Sequence, residues 1–365
     1  MKIAFIPGSC APFHGQTLEE RPLGGIETAV IRLAQALERL GNRVFVFTHI
    51  DAPPVTRPLY LPLRALGDLG SVDVLISVRE LLPLFAGVAA TSQFFWTGDS
   101  YNQLQHLGLG DRRTIKATNA LLAVSNWQAD RLCSVSGYPR DKVWILRNGH
   151  EAQLFTGTEE RTPKRLIFSS TPYRGVEHFA SIFPAIQNEH PDAELHIFSG
   201  LKVYEGTGSY TDSLEAQYKP VMAKLATIKG VTVHGNVLQR DLAREFMKSS
   251  ILAYPNSFEE TSCITAIEAM AAGCVVVTSR RGALPETIGD AGMFVDGDPK
   301  SSIYQAQFCR YICNLLHDRQ AWSALHARAL EHSHSTTWDS IAKQFIERVQ
   351  VEILSRPGRL VSPSP

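Results

Sequence analysis

The chain alternates two hydrophobic rhythms from its first residues. Residues 2–6 form a short apolar run; Ile26, Val30, Leu33, Leu37 and Leu40 then recur at helical spacing, and a second short run covers 43–47. A strand, an amphipathic helix and another strand predict parallel pairing through a crossover, with helices on the faces of the sheet. The rhythm continues with strands predicted at 72–78, 92–96, 121–125 and 143–146 and a helix at 127–135. Residues 52–64 carry four prolines and little periodicity, and read as loop.

Composition turns polar and Gly/Thr-rich at 149–163, which marks a domain boundary. Beyond it the rhythm restarts, with strands predicted at 165–169, 194–199, 231–234, 250–254 and 274–278 and helices at 176–188, 240–248 and 262–272. Residues 200–212 read as a polar, Gly-rich loop, and 302–354 as mostly helical. In the last helix Trp338, Ile341, Phe345, Val349 and Ile353 form one stripe. The predicted fold class is therefore α/β, with a doubly wound N-terminal domain over 1–155 and another over 156–335. A helix follows over 336–354, then a frayed Ser/Pro tail over 355–365. Domains of this kind take ligands outside the carboxyl ends of their parallel strands, and a cleft between two of them is the expected active site.

Composition narrows the function. The 365 residues are 44% apolar, ample for packed cores, and 36 Lys/Arg balance 36 Asp/Glu, which argues against a nucleic-acid binder. No apolar run approaches the ~18–20 residues that span a bilayer, and Met1–Gly8 reads as a first strand, not a signal peptide. The expected place is the cytoplasm, with at most peripheral contact on the inner face of a membrane. Cys10, Cys133, Cys263, Cys274, Cys309 and Cys313 are scattered, and read as buried free thiols in a reducing compartment. No G-x-G-x-x-G follows the first strand and no G-x-S-x-G is present, which weakens nicotinamide and serine-hydrolase readings. Asp296-Gly297-Asp298 is formally a D-x-D but reads as a turn between strand and helix. His332 and His334 read as a solvated pair, His178 as a surface residue, and Arg112, Arg113 and Lys116 as a solvated helix face, with contact to anionic lipid headgroups or to a phosphate-bearing acceptor as the alternative.

The informative stretch runs from Tyr254 to Gly273. A strand ends at Tyr254, a polar loop carries Glu259 and Glu260, Thr261 or Ser262 is a natural N-cap, and a helix follows until Gly273 stops it. The free N–H groups of such a helix start suit a diphosphate. Glu268, about 1.5 turns into that helix, is placed to accept hydrogen bonds from ribose hydroxyls, and Glu260 to reach the other end of the ligand. Taken singly, Glu260 reads as a capping or helix-dipole carboxylate and Glu268 as an exposed helix charge; the pair in this setting is far more specific.

Glu260 and Glu268, separated by seven residues and followed by Ala269-Met270-Ala271-Ala272-Gly273 and Pro285-Glu286, resemble the E-x7-E donor-site segment of retaining, nucleotide-sugar-dependent glycosyltransferases of the GT-B fold. Gly24-Gly25-Ile26-Glu27 is similar to that family's glycine loop and first helix, Arg147-Asn148-Gly149 with Phe155 to the end of its N-terminal domain, and Tyr173-Arg174-Gly175 to its phosphate-binding turn. Trp338 resembles the start of the segment that crosses back to the first domain. The resemblance implies two Rossmann-like domains facing each other across a cleft, with the acceptor on the N-terminal side and the donor on the C-terminal side. By it, Glu268 binds the donor ribose, Glu260 holds sugar hydroxyls, Arg174 neutralises the diphosphate, and backbone amides at Gly25, Ser262, Cys263 and Ile264 complete the cradle. Glu260, Arg174 and Asp99 are the implied catalytic residues.

The chain also departs from the pattern. Thr261, Ser262 and Cys263 stand where glycines usually follow the first glutamate. Phe168, Ser169 and Ser170 stand where a second basic residue is usual, with Arg165 or Arg281 as substitutes. Where the family often has a histidine near the sugar, this chain has Trp96-Thr97-Gly98-Asp99, and Asp99 is either its counterpart or a turn aspartate.

The expected activity is transfer of a hexose, with retention, from a nucleoside-diphosphate sugar to a hydroxyl of a glycan, lipid-linked or small-molecule acceptor. No metal or cofactor beyond the donor substrate is expected. A sugar-nucleotide 2-epimerase of the same architecture and a non-catalytic sugar-nucleotide-binding subunit are the alternatives.

Overall fold

The computed structural model describes residues 1–201, 203 and 209–354. By internal contacts the chain divides into two compact units. The first comprises Met1–Gly15, Ile26–Arg147 and the chain from Trp338; the second comprises Gln16–Gly25 and Asn148–Thr337.

The first unit is built on strands β1 (Lys2–Pro7), β2 (Arg43–Thr48), β3 (Leu59–Pro62), β4 (Val72–Val78), β5 (Ala90–Thr97), β6 (Ala120–Ala123) and β7 (Val143–Ile145). They form one sheet in the order β3-β2-β1-β4-β5-β6-β7, and every pair is parallel. Ile3 to Ile6 and Val74 to Ile76 are buried on both faces of the pleat, which is why these strands read as continuous apolar runs and not as alternation. The helix Gly25–Arg39 supplies the crossover from β1 to β2, with Val30, Leu33, Ala34 and Leu37 buried. The helix Trp338–Leu354 buries Trp338, Ile341, Phe345 and Val349. Phe345 meets Phe94 of β5 edge to face at 5.8 Å between ring centroids, and the Arg348 guanidinium lies 4.3 Å above the Trp144 ring of β7.

The second unit repeats the plan with β8 (Arg165–Ser169), β9 (Glu194–Phe198), β10 (Val231–Val233), β11 (Ile251–Tyr254), β12 (Val275–Ser279) and β13 (Gly292–Val295). Their order is β10-β9-β8-β11-β12-β13, again all parallel. Both sheets therefore have the doubly wound order, and in each the winding reverses once: between β1 and β4, and between β8 and β11. A crevice at the carboxyl ends of those two strands is where such sheets take ligands.

Two local expectations are corrected. Residues 52–64 are not all loop, because Leu59–Pro62 pairs with β2 from Phe45↔Leu59 to Thr48↔Pro62. This strand lies at the edge of the sheet, where prolines are tolerated, and it is too short to announce itself by pattern. Residues 200–212 are not all loop either: a helix runs from Ser209 to Ala226, while 202 and 204–208 lie outside the described residues, as does the tail over 355–365. That helix shows no stripe because nearly all of its described side chains are exposed or half-buried, only Leu225 being fully buried, and it contains Pro220. The stretch 302–354 is mostly helical, as expected, in three helices, Ser302–His317, Arg319–His334 and Trp338–Leu354. Asp318 caps the second, accepting from the Gln320 and Ala321 amides at 2.9 and 3.0 Å.

Phe345→Ala removes a buried ring from the cover of the first sheet. It is expected to lower stability by about 3–5 kcal/mol, whereas Val351→Ala on the exposed face of the same helix stays within about 0.5 kcal/mol. Urea midpoints of the transition that exposes Trp144 check both.

Candidate functional site in the second unit

The loop after β11 is anchored before it carries any chemistry. Asn256, wholly buried, donates from Nδ2 to the Phe258 carbonyl at 2.5 Å and accepts from the Phe258 amide at 2.9 Å. Ser279, ending β12, donates to the Asn256 carbonyl at 2.6 Å. Arg281 Nη1 donates to the Ser257 carbonyl at 3.1 Å. The turn at Gly282, with φ +58°, then passes so close that a Cβ there would lie 2.4 Å from the Glu260 carbonyl oxygen. The Ala283 amide bonds that same carbonyl at 2.7 Å.

Held this way, Glu260 is 3% exposed and its side chain points at the neighbouring strand's loop. Its Oε1 accepts from Arg174 Nη1 at 2.9 Å and from the Tyr254 hydroxyl at 2.5 Å. A buried carboxylate needs such charge-assisted donors. Arg174 comes from the turn after β8, and its guanidinium lies 4.7 Å from the Phe258 ring centroid and 5.8 Å from that of Tyr173. Gly175 follows at φ +111°, and a Cβ there would come within 2.2 Å of the Pro255 carbonyl oxygen, so the close approach of the two loops requires glycine. Burial first, and the Glu260 charge second, raise the Tyr254 phenol well above its ordinary range, so it stays a donor.

The helix after this loop is Ile264–Ala271, two residues shorter at its start than predicted. Neither Thr261 nor Ser262 is its N-cap. Cys263 holds that position with φ +84°, and its own side chain makes no capping bond. The expected cap fails because Ser262 is drawn into the core: it is 3% exposed, and its carbonyl accepts from Thr287 Oγ1 at 2.5 Å. Burial, then Glu260, pushes the Cys263 thiol far up, so it is no nucleophile at neutral pH. Glu268, one turn into the helix, is 6% exposed and accepts from Gln239 Nε2 at 2.6 Å. It is thus not the exposed helix charge it would be if read alone. Gly25 lies beside the helix start, its Cβ direction 3.5 Å from Ile264 Cδ1.

The second unit therefore brings Gly25, Arg174, Glu260, Ser262, Cys263, Ile264 and Glu268 to one corner, at the point where its sheet reverses. Asp99 belongs to the first unit, just after β5. Arg79 Nε and Nη2 donate to its two carboxylate oxygens at 2.8 and 3.1 Å. Arg79 follows β4 in the left-handed conformation, φ +65°, a strain that is commonest at functional positions. Arg165 is excluded as a second phosphate ligand of this corner: it begins β8, at the amino end, where Glu245 and His196 engage it. Arg281 lies on the carboxyl side, after β12. His178 is buried, not at the surface: it is 5% exposed, and burial holds its imidazole below the usual range. Asp296 and Asp298 lie in the turn between β13 and the helix Ser302–His317, where Asp296 pairs with Arg280 at 3.1 Å and Asp298 accepts from the Lys300 amide at 3.0 Å. All six cysteines are free, with Cys133 and Cys309 only half-buried. Sequence reasoning missed Tyr254, Gln239 and Arg79. Tyr254 was visible as a phenol at the end of an apolar strand, whereas nothing local marks the other two.

Residues 163–318 match the family described as Glycosyl transferases group 1. An MMP alpha-(1->4)-mannosyltransferase of Mycolicibacterium hassiacum is 26% identical over 184 residues, 50% of this chain and 42% of that protein. A D-inositol 3-phosphate glycosyltransferase of Paenarthrobacter aurescens is 25% identical over 252 residues, 65% of this chain and 59% of that protein. The chain thus spans about half the length of the curated relatives it matches. Among solved structures, a glycosyltransferase from Rickettsia africae aligns with a TM-score of 0.72 at 15% identity, covering 97% of this chain and 99% of that one. Alr3699/HepE of Anabaena, in complex with UDP-glucose, aligns with a TM-score of 0.70 at 15% identity, covering 96% and 100%. At that identity the likeness is one of fold, and the fold is GT-B. Family match and fold point the same way: residues 163–318 are similar to the group 1 glycosyl transferases, and the two sheets have the GT-B fold.

Proposed function

We propose that the chain transfers a hexose from a nucleoside-diphosphate sugar to a hydroxyl acceptor, with retention at the anomeric carbon. One observation carries this reading. Glu260 and Glu268 flank the start of the helix Ile264–Ala271, and Arg174 reaches into the same corner from the neighbouring strand's loop.

The chemistry follows from what breaks. Cleaving a glycosyl–phosphate bond leaves negative charge on the nucleotide, and preorganised donors aimed at that charge do the most to lower the barrier. The helix start supplies oriented N–H groups and the positive end of a dipole. Arg174 supplies a fixed cation, already oriented by Glu260 and by the faces of Phe258 and Tyr173. Arg281 is the best-placed second basic group. On this reading Glu268 exchanges its bond to Gln239 for the donor ribose. The two donors gathered on Glu260 Oε1 orient its carboxyl group toward sugar hydroxyls. In the first unit Asp99, clamped by Arg79, is assigned to the acceptor side. With the charge met by an arginine and a helix start, the proposed reaction needs no divalent metal.

Glu268→Ala is expected to weaken calorimetric binding of UDP- or GDP-sugars at least about tenfold, through loss of a charged hydrogen-bond acceptor, while Asp298→Ala leaves it unchanged. Equal binding by wild type and the Glu268 variant removes the donor-site assignment. Once a donor is identified, Arg174→Ala is expected to lower kcat by about 10²–10³, with excess EDTA leaving the wild-type rate intact. Conversion of the donor to another sugar nucleotide without any acceptor would point to an epimerase instead.

A further inference from the structure

The loops that leave β5 and β6 bring two aromatic rings together beside Asp99. Tyr101 stands two residues beyond Asp99, and Trp127 lies in the first turn of the helix Asn126–Ser136 that follows β6. Ser125 caps that helix, accepting from the Gln128 amide at 3.0 Å. Gln128 is buried and donates from Nε2 to the Asp99 carbonyl at 2.7 Å and to the Thr97 carbonyl at 3.2 Å. The helix start and the Asp99 turn are thereby tied into one piece, at the carboxyl end of the first sheet. There the Tyr101 and Trp127 rings meet at 6.1 Å between centroids, their planes 69° apart.

Core packing does not use up these rings. Tyr101 packs against the cluster that holds Phe95, Leu109 and Leu121, yet both rings are only half-buried and keep part of their surface in water. The Arg131 guanidinium, one helical turn past Trp127, lies 5.6 Å from each ring centroid. Arg131, Asn102 and Asn126 are exposed, so side chains with N–H donors border the aromatic surface. Aromatic walls edged by a few polar groups are typical of small-ligand sites. A sugar ring matches such a surface, because a pyranose carries C–H groups on its faces and hydroxyls around its edge. An aliphatic chain would leave the bordering donors facing carbon.

We propose that Tyr101 and Trp127 form the platform on which the ring of a carbohydrate acceptor stacks, with Arg131 and the two asparagines at its hydroxyl edge. Calling that sugar the acceptor rests on the transfer reading above, in which Asp99 serves the acceptor side; the platform itself rests on the rings and their border. Arg131 is exposed, and a cation–π contact in water is weak enough for its guanidinium to turn from the rings to a hydroxyl. The acceptor is thereby narrowed from any hydroxyl compound to one whose accepting group sits on or next to a pyranose.

The test is saturation-transfer NMR of the full chain with the methyl α-pyranosides of glucose, mannose, galactose and N-acetylglucosamine at millimolar concentration. At least one of them is expected to receive saturation on the C–H protons of one ring face. W127A is expected to lower that signal at least about fivefold, whereas W127F, which keeps a ring, retains most of it. R131Q alters an exposed side chain, is expected to lower the signal at least about twofold, and decides the matter if W127A does not fold. Transfer to none of these glycosides overturns the proposal. So does undiminished transfer by a folded W127A or, where W127A does not fold, by R131Q. A Trp127-dependent signal together with nucleotide binding that E268A leaves unchanged removes the donor reading and keeps the platform as a carbohydrate site; the opposite pair of results removes the platform alone.

Discussion

A carboxylate taken out of water must be met by donors, and Glu260 is met by two at one oxygen: Arg174 from the loop after β8 and Tyr254 from the last position of β11. The rest of the site depends on this contact. It ties two loops that leave neighbouring strands, and it explains why the backbone around it tolerates no extra carbon at Gly175 or Gly282. An unmet charge at this depth would be strongly destabilising. The corner is therefore a small rigid frame, in which the arginine is oriented before any ligand arrives.

The same plan appears twice, but the two corners differ in chemistry. In the second unit the reversal between β8 and β11 gathers carboxylates, an arginine and a helix start. In the first, the residues after β4 and β5 meet in the clamp of Arg79 on Asp99. Fold order places both at carboxyl edges; it does not say what either does. Chemistry resides in the side chains, and in the second unit the proposed reading gives it to the pairing of one acidic residue beside the helix start with another on the helix itself.

Much of this was legible in the linear sequence because parallel strands buried on both faces leave uninterrupted apolar runs, and because Glu260, Glu268 and the glycine-stopped helix are close in sequence. What was not legible depends on distant partners. Glu268 reads as a surface charge until Gln239 is seen to hold it. Ser262 has the chemistry of a cap but is drawn inward by Thr287, leaving Cys263 to start the helix. His178 looks solvated on a polar turn, yet the elements around it bury it. The helix Ser209–Ala226 was invisible for the opposite reason: it buries so little that no stripe marks it. Arg79 stood among ordinary loop residues, and only its clamp on Asp99 sets it apart.

The helix Trp338–Leu354 closes over side chains made far earlier in the chain, Phe94 and Trp144 among them. Synthesis runs from the amino end, so the first sheet emerges with that flank bare, and the entire second unit is made before its cover. Until that helix leaves the ribosome, the first sheet carries an open greasy flank, and its native packing is a late event of biogenesis.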